Sequence, residues 1–413
     1  AVTSCASDIH VKFAAAASSG SADTLAVTLS GAKATTDFKV TTENTNGFET
    51  ISIASSGSAA NLLEALTIAT STSQRTLTVT GDQNLTIIGV LPDGFTTVNA
   101  GAATGAVILD LDQVTAGNLT VTGGSGNDVF LMGADYTTAD TVNGGTGTDV
   151  IGMTTGVATA ATAQTNLSNL EGFLVENAVA NDITMSYYGT IASLYLPAGF
   201  ASNKVVVASG TNVTFGAYYS GASQLFANTD GAGNGEIEIL GLGTTDSVTV
   251  TLNDHDLGAA NTLTLDGIET IALVSNGAAN GTPADDSKNI IGLLTVTPTA
   301  GNATLTLTGA TSVDVKQAFT GIGTINGSAF TGAWVQDLTE AGSATTITMG
   351  SGNDTIVGSA GADVINPGTG NNVVQPGDGI DTVTFQAGGC DILDFEDNAT
   401  AAQIGRASCR ERV

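Results

Sequence analysis

Apolar and polar residues alternate over short stretches along most of this chain, and turn-forming residues separate the stretches. Alternation with a period of two, rich in Thr and Val, predicts β-strands whose side chains point to opposite faces. One segment, Asn61–Ala69 (NLLEALTIA), has a spacing that suits two helical turns. The pattern predicts a mainly β protein, either a solenoid or a stacked β-sandwich. The clearest predicted strands are Thr24–Leu29, Arg75–Thr80, Asn118–Thr122, Lys204–Val207, Glu236–Leu240, Asp246–Leu252 and Ala303–Thr308.

Towards the C-terminal end this alternation becomes a strict nine-residue repeat. Four copies start at Met349, Gly358, Pro367 and Pro376 and read MGSGNDTIV, GSAGADVIN, PGTGNNVVQ and PGDGIDTVT. Position four is always Gly, position six is Asp or Asn, and position eight is Ile or Val. Two further copies, GGSGNDVFL and GGTGTDVIG, begin at Gly123 and Gly144. This is the pattern of a parallel β-roll, in which the apolar eighth residue points inward from a strand of about three residues.

The same repeat predicts calcium binding. Glycine permits positive φ in a tight turn and lets backbone carbonyls approach an ion, and carboxylate oxygen is a ligand that Ca²⁺ prefers. Ion-free β-turns would explain the glycines but not the return of aspartate, because stacked aspartates without a cation repel each other. Asn372 lacks the charge, so its site is expected to be weaker or empty. The predicted metal ligands are Gly124, Gly126, Asp128, Gly145, Gly147, Asp149, Gly352, Asp354, Gly361, Asp363, Gly370, Asn372, Gly379 and Asp381.

A longer and looser repeat runs through the rest of the chain. Gly47–Asn61, Asn169–Asn181 and Gly267–Asn280 each place a glutamate just before an apolar strand. If the repeat is not a coincidence of a low-complexity sequence, Glu49, Glu171 and Glu269 occupy equivalent strand starts. We expect them to be solvated or paired rather than catalytic.

Composition and charge exclude some classes of binding partner. The chain has 39 acidic and 10 basic residues, a formal charge of −29, 53 glycines and 42% hydrophobic residues. Such a balance disfavours nucleic acid and anionic membranes as partners and suits divalent cations as structural ions. No apolar run approaches the length of a transmembrane helix.

The predicted organisation has five segments. These are an N-terminal β region (1–122), a short calcium-binding insert (123–152), a second β region (153–340), the nonapeptide β-roll (341–403) and the final ten residues (404–413). The last segment, IGRASCRERV, resembles a translated sequencing adapter, so we expect it to be foreign and the native C-terminus to lie elsewhere. Cys5 and Cys390, far apart, are expected to be free thiols.

Catalytic chemistry is nearly absent from the sequence, so we expect no enzyme. The two histidines rule out an H-E-x-x-H motif, and there is no G-x-S-x-G elbow or P-loop. His255, between Asp254 and Asp256, is expected in an exposed turn. A cluster of four acidic residues could form another calcium site or a solvated end-cap: Asp391, Asp394, Glu396 and Asp397.

The nonapeptides resemble those of the RTX (repeats-in-toxin, hemolysin-type) family of secreted proteins. The acidic, Thr/Ala/Gly/Val/Asn-rich body with its G-[IF]-E-T-I strands is similar to bacterial surface-layer proteins of that family, of the Caulobacter type. The resemblance implies type I secretion, folding on external calcium, and self-assembly into a lattice attached to lipopolysaccharide or a surface glycan. Two alternatives stay open: an RTX adhesin, and the carrier part of a secreted RTX hydrolase.

Overall fold

The computed structural model of the chain describes most of its residues. Those outside the description are 1, 4–7, 19, 33–36, 44–46, 69–74, 90, 115–117, 217, 221–222, 227–232, 242, 254, 258–260, 278–287, 317–318, 339–343, 395–405 and 409–413. The described residues contain no α-helix and two short 3₁₀ helices, Ala15–Ser18 and Met185–Tyr188.

Strands make up most of the remaining described structure. The first seventeen are β1 (Val2–Thr3), β2 (Ile9–Phe13), β3 (Thr24–Ser30), β4 (Asp37–Thr42), β5 (Thr50–Ser56), β6 (Asn61–Leu63), β7 (Ala65–Ile68), β8 (Arg75–Gly81), β9 (Leu85–Ile87), β10 (Phe95–Ala103), β11 (Val107–Asp110), β12 (Thr120–Thr122), β13 (Val129–Leu131), β14 (Thr141–Asn143), β15 (Val150–Met153), β16 (Leu167–Ser168) and β17 (Gly172–Val175).

The later strands are β18 (Ile183–Thr184), β19 (Ser193–Leu196), β20 (Lys204–Val207), β21 (Thr211–Gly216), β22 (Tyr218–Ser220), β23 (Ser223–Phe226), β24 (Gly235–Ile239), β25 (Ser247–Asn253), β26 (Thr262–Asp266), β27 (Thr270–Asn276), β28 (Lys288–Ile291), β29 (Leu293–Thr297), β30 (Ala303–Gly309), β31 (Ser312–Val315), β32 (Ile322–Asn326), β33 (Trp334–Asp337), β34 (Thr346–Thr348), β35 (Thr355–Val357), β36 (Val364–Asn366), β37 (Val373–Gln375), β38 (Thr382–Thr384), β39 (Ile392–Leu393) and β40 (Arg406–Ser408).

The chain divides into two compact units. The first holds residues 1–176, 186–191 and 220–225, and the second holds residues 177–185, 192–219 and 226–413. Two long sheets of the first unit have the orders β1-β3-β5-β8-β10-β12-β14-β16 and β6-β9-β11-β13-β15-β17, beside a small sheet β2-β4-β7. In the second unit the sheets are β19-β21-β25-β27-β30-β32-β34-β36-β38-β40, β18-β20-β24-β26-β29 and β28-β31-β33-β35-β37-β39.

Neighbouring strands in these sheets run parallel, as in β3–β5 and β34–β36, because the chain visits each sheet once per coil. This is a parallel β-solenoid, one of the two architectures that the sequence leaves open. Its core consists of apolar columns, one side chain from each coil, and each fully buried member contributes about 1.5–3 kcal/mol. One column of the first unit is in register over six strands and contains Leu25, Ile51, Leu77, Val98, Val121 and Val142.

Two expectations from the sequence are wrong. The described part of the segment predicted to be helical, residues 61–68, forms β6 and β7, since its apolar residues alternate between a buried and a half-exposed face. His255 does not lie in an exposed turn but is fully buried, with its ring stacked on Phe215 at a centroid distance of 5.6 Å. The backbone N–H of His255 donates to Oδ1 of Asn289, which seats the histidine inside the coil.

Candidate calcium-binding turns

Each nonapeptide supplies half a coil of the roll. Positions seven to nine form one short strand, and positions one to six form the turn that carries the chain to the opposite sheet. Two nonapeptides therefore complete a coil of 18 residues, and turns 18 residues apart lie against each other on the same edge. The eighth residues are buried as predicted, with Ile356, Ile365 and Val374 at 0% exposure and Val383 at 4%.

Glycines bring the stacked turns into close contact. A Cβ built on Gly370 would lie 2.1 Å from the carbonyl oxygen of Gly352, and one on Gly379 would lie 2.3 Å from that of Gly361. Such distances exclude any side chain, so the repeat needs glycine at position four to keep these carbonyls close to the next turn. The backbone N–H of Thr369 also donates to the carbonyl of Gly350, at 2.8 Å, which fixes the stacking.

The position-six residues form ladders between coils. The backbone N–H of Asp354 donates to Oδ1 of Asn372 at 2.9 Å, and the N–H of Asn372 donates to Oδ1 of Asp391 at 3.1 Å. On the other edge the N–H of Asp363 donates to Oδ1 of Asp381 at 2.9 Å. In each of these pairs, one side-chain oxygen of the later residue thus accepts a backbone N–H from the preceding coil.

The insert near residue 130 repeats this arrangement in the first unit. The N–H of Asp128 donates to Oδ1 of Asp149 at 2.7 Å. A Cβ built on Gly145 or Gly147 would lie 2.2 or 2.3 Å from the carbonyl oxygen of Gly124 or Gly126, as in the C-terminal roll. The four glycines and two aspartates predicted there are therefore brought together in pairs of turns.

The turns occur in two conformations. In the first turn of two pairs, Oδ2 of the aspartate accepts an N–H from its own turn: Gly124 donates to Asp128 and Ser359 donates to Asp363, both at 2.7 Å. In the second turns, glycines at positions two and four have positive φ, which turns the position-two N–H away from the aspartate. These glycines are Gly145, Gly147, Gly368, Gly370, Gly377 and Gly379.

Three of these turns have a buried carboxylate oxygen with no protein donor. In two positive-φ turns the oxygens are Oδ2 of Asp149 and Oδ2 of Asp381, and Oδ2 of Asp354 is also unpaired, although Gly350 and Gly352 of its turn do not have positive φ. An unpaired buried carboxylate is costly, so each of these atoms calls for a cation or a proton. Asn372, at the equivalent position, avoids the problem because its Nδ2 donates to Oδ1 of Asp391 at 3.0 Å.

Burial sets the acidity of these groups. It raises the pKa of Asp354 to about 6, with a hydrogen bond from the backbone of Trp334 opposing the shift. Burial also raises the pKa of Asp149 to about 6, and the nearby charges of Asp128 and Glu171 add to the effect. The pKa values of Asp128 and Asp381 are raised for the same main reason. Without a cation, these carboxyls hold their protons more tightly than ordinary aspartates do.

These turns fit Ca²⁺ better than a metal that needs side-chain ligands alone. Within the described residues, no group of three or more His, Cys, Asp or Glu side chains comes together as a metal-ligating cluster. An ion here would combine one or two carboxylates with the backbone carbonyls that the glycines bring close, and Ca²⁺ accepts such mixed oxygen ligands. Positions two, four and six of paired turns would hold it.

Comparison with known proteins supports this assignment for part of the chain. Residues 350–383 match the model of the RTX calcium-binding nonapeptide repeat, with four copies. No curated protein and no solved structure gives a match to the chain. The repeats of the matched family bind calcium, so Ca²⁺ is the ion of this roll. Among the described residues, no helix is both long and apolar enough to cross a membrane.

The sequence reading missed one member of the ladder. It left Asp391 open between a calcium site and a solvated end-cap, whereas the structure places its carboxylate as the acceptor for Asn372. The separation is 19 residues rather than 18, so one inserted residue had hidden the repeat. Glu396 and Asp397, as well as Cys5, lie outside the described residues, and Cys390 is a free, exposed thiol.

Proposed function

We propose that this chain is a secreted, non-enzymatic structural protein of a bacterial surface, of the RTX surface-layer type, which calcium folds and assembles. The observation that carries the proposal is the set of buried, unpartnered carboxylate oxygens in stacked glycine turns, at Asp149, Asp354 and Asp381. Such turns have an architectural use, since the ion completes the fold.

The need for an ion suits a chain that folds after export. Because ligands from two coils meet only in the folded roll, calcium binding contributes directly to the free energy of folding. A compartment poor in calcium would leave the nonapeptide region unfolded, and a calcium-rich exterior would fold it. Export through a type I secretion system accords with this order of events.

Charge supports association that depends on calcium. Copies that carry a formal charge of −29 repel one another, and Ca²⁺ both folds each copy and bridges carboxylates between copies. We propose that the main partner is a second copy in a lattice, with lipopolysaccharide or a surface glycan as the anchor, and that nucleic acid is not a partner. The adhesin and hydrolase-carrier alternatives differ from this in what the chain contacts, not in how it folds.

Assembly of the full chain tests the proposal. Light scattering and electron microscopy at millimolar Ca²⁺ should show ordered sheets, and the same chain in EGTA should stay dispersed. Sodium chloride at equal ionic strength is the control, because it screens charge but supplies no directional ligand. A chain that folds in calcium, stays monomeric and binds a glycan array would favour the adhesin, and turnover of a substrate would contradict the non-enzymatic proposal.

A further inference from the structure

The three glutamates of the longer repeat close their coils in the same way. The N–H of Glu49, Glu171 and Glu269 donates to the carbonyl of an aspartate one coil earlier, at 3.0–3.1 Å. In return, the N–H of that aspartate donates to Oε2 of the glutamate at 2.8–2.9 Å. The aspartates are Asp23, Asp149 and Asp246. The repeat is therefore a real structural unit, and each glutamate takes the place of the position-six aspartate in a shorter turn.

The residues before each glutamate explain why the shorter turn suffices. Gly47, Asn169 and Gly267 have φ values of 69°, 52° and 71°, which produce the same sharp turn. The next residue in each case is buried and apolar, namely Phe48, Leu170 and Ile268. This side chain fills the edge of the core, and the extra methylene of glutamate reaches the N–H that aspartate reaches in a nonapeptide turn.

Two of the three glutamates have their charge compensated by the protein. Glu49 lies near the positive charge of the buried Arg75, although Oε1 of Glu49 is itself buried without a hydrogen-bond partner. Oε1 of Glu269 accepts the backbone N–H of Thr299 at 2.7 Å and that of Ala300 at 3.3 Å. Their aspartate partners are also satisfied, because Oδ2 of Asp23 and Oδ2 of Asp246 accept N–H groups from their own turns.

Glu171 stands in a different environment. Its partner Asp149 is fully buried, and Oδ2 of Asp149 has no donor. Within the described residues neither side chain takes part in a salt bridge. The sequence itself supplies no cation nearby, since residues 76–203 contain eleven acidic residues and no Lys, Arg or His.

The space beside Gly144 has the ligands that a cation would need. A Cβ built on Gly144 would lie 2.0 Å from the carbonyl oxygen of Asn169 and 2.6 Å from Oδ2 of Asp149. A carbonyl oxygen and an unpaired carboxylate oxygen thus both approach Gly144, which has no side chain to cover them. The carboxylate of Glu171 lies beside Asp149, whose backbone N–H donates to Oε2 of Glu171 at 2.9 Å.

We propose that Asp149, Glu171 and the carbonyl of Asn169 bind a divalent cation, with Ca²⁺ the best match for an all-oxygen site. Of these three residues only Asp149 belongs to a nonapeptide, and the matched family segment, residues 350–383, includes none of them. It rests on the proposed function only in that the folded chain must meet calcium. Asp149 would then serve two ions, one shared with the turn of Asp128 and one shared with Glu171.

Counting the ions bound to the full chain by equilibrium dialysis against Ca²⁺ tests this site. Glu171→Gln keeps an oxygen for the N–H of Asp149 but removes the charge, so it should bind one Ca²⁺ fewer than the wild type. Glu269→Gln is the matched control, and its count should not change. A Glu171→Gln variant with the wild-type count would overturn the site while leaving the nonapeptide sites intact. A wild-type chain that binds no Ca²⁺ would instead overturn the proposed function itself.

A second readout does not depend on the variant folding. In the wild type, calcium should slow hydrogen exchange at the amides of Asp149 and Gly172, which border the site. The amide of Thr270, next to Glu269, should exchange equally with and without calcium and serves as the internal reference. Equal exchange at Gly172 in both conditions would contradict the site.

Discussion

Two kinds of turn connect the strands of this solenoid, and they deal with the edge of the core in different ways. In the turn that ends at Glu269, buried Ile268 fills the edge and backbone N–H groups satisfy the carboxylate. In the turn that ends at Asp354, glycines line the edge and one carboxylate oxygen stays buried without a donor. The first turn is complete as a polypeptide, whereas the second is complete only with an ion or a proton. A single fold thus contains regions that calcium should control and regions that it should not.

Removal of calcium should separate these regions most strongly. In the full chain with EGTA, amides of β35–β38 should lose their hydrogen-exchange protection, because several carboxylates lose their cations together. At a thousandfold excess over Kd, each ion contributes about 4 kcal/mol, so the combined loss exceeds the stability of a short roll. Amides of β25, β27 and β30 should keep their protection. A uniform loss of hydrogen-exchange protection along the whole chain would show that calcium does not act selectively on the nonapeptide turns.

Truncation of the apolar side chain that fills a Glu-closed turn should have the opposite dependence. Ile268→Ala removes a fully buried side chain and should lower the free energy of unfolding by about 2–5 kcal/mol. The decrease in the free energy of unfolding should be the same with and without calcium. Chemical denaturation of the full chain, followed for the second unit, measures it. Thr304→Ala, on a half-exposed position of the neighbouring strand, is a control that should cost far less. A loss that calcium rescues would show that this turn also depends on an ion.

Acid should replace calcium in the nonapeptide turns. The folded-state pKa of Asp354 is raised to about 6 from an ordinary value of 3.8, so between these values the folded chain binds more protons than the unfolded chain. In calcium-free buffer, the contribution of the protonated Asp354 carboxyl group to the free energy of unfolding is therefore fully present below about pH 4 and is lost as the pH rises through 6. The shift corresponds to about 3 kcal/mol for Asp354. Exchange of the Asp354 amide should be more protected at pH 4 than at pH 7, after correction for intrinsic rates.

Calcium should reverse this pH dependence. Binding requires the ionised carboxylate, so calcium affinity should fall as the pH drops below 6. A calcium titration followed by circular dichroism at pH 5 and pH 7 measures the difference. An affinity independent of pH would mean that Asp354 is not a ligand.

The smallest expected effect concerns Asn372, the one uncharged residue at position six of the four C-terminal nonapeptides. Asn372→Asp should raise the calcium affinity of the roll about tenfold, or about 1.4 kcal/mol, because it adds a carboxylate beside Asp391. It should also destabilise the calcium-free roll, since the amide donor to Asp391 is lost and two like charges meet. Isothermal titration calorimetry measures the first effect. Asn371→Asp, one residue away in an exposed position, controls for a general gain of negative charge.

Much of this comparison could be predicted from the sequence. The nine-residue period placed Ile365 in the core and Asp363 in a turn, because glycine spacing and alternation act locally. The period failed at Asp391, where a single inserted residue shifts the ladder by one. It also failed at His255, since the polar neighbours suggest a surface turn, whereas the ring is buried against Phe215.

The sequence could not show which of the three glutamates has its charge compensated, and the reason is physical. Glu49, Glu171 and Glu269 share their local pattern, and only contacts from other coils distinguish them. Arg75, near Glu49, and the backbone N–H groups of residues 299–300, which donate to Glu269, come from the next coil. No short sequence motif predicts these contacts. The unpaired oxygens of Asp149 and Asp381 likewise go with positive φ at glycines of their own turns, such as Gly377, a conformation that the glycine pattern permits but does not require.

Strand pairing between successive coils has a kinetic consequence. Ile347 pairs with Ile365 and Ile365 with Val383, so each contact joins residues only one coil apart, however long the chain becomes. The loop that must close at each step stays near 18 residues, and its entropic cost does not grow as further coils are added. A sheet built from distant segments would slow with length, but this one can extend by docking one coil after another. Growth of such a protein by duplication of coils therefore carries little penalty in folding rate.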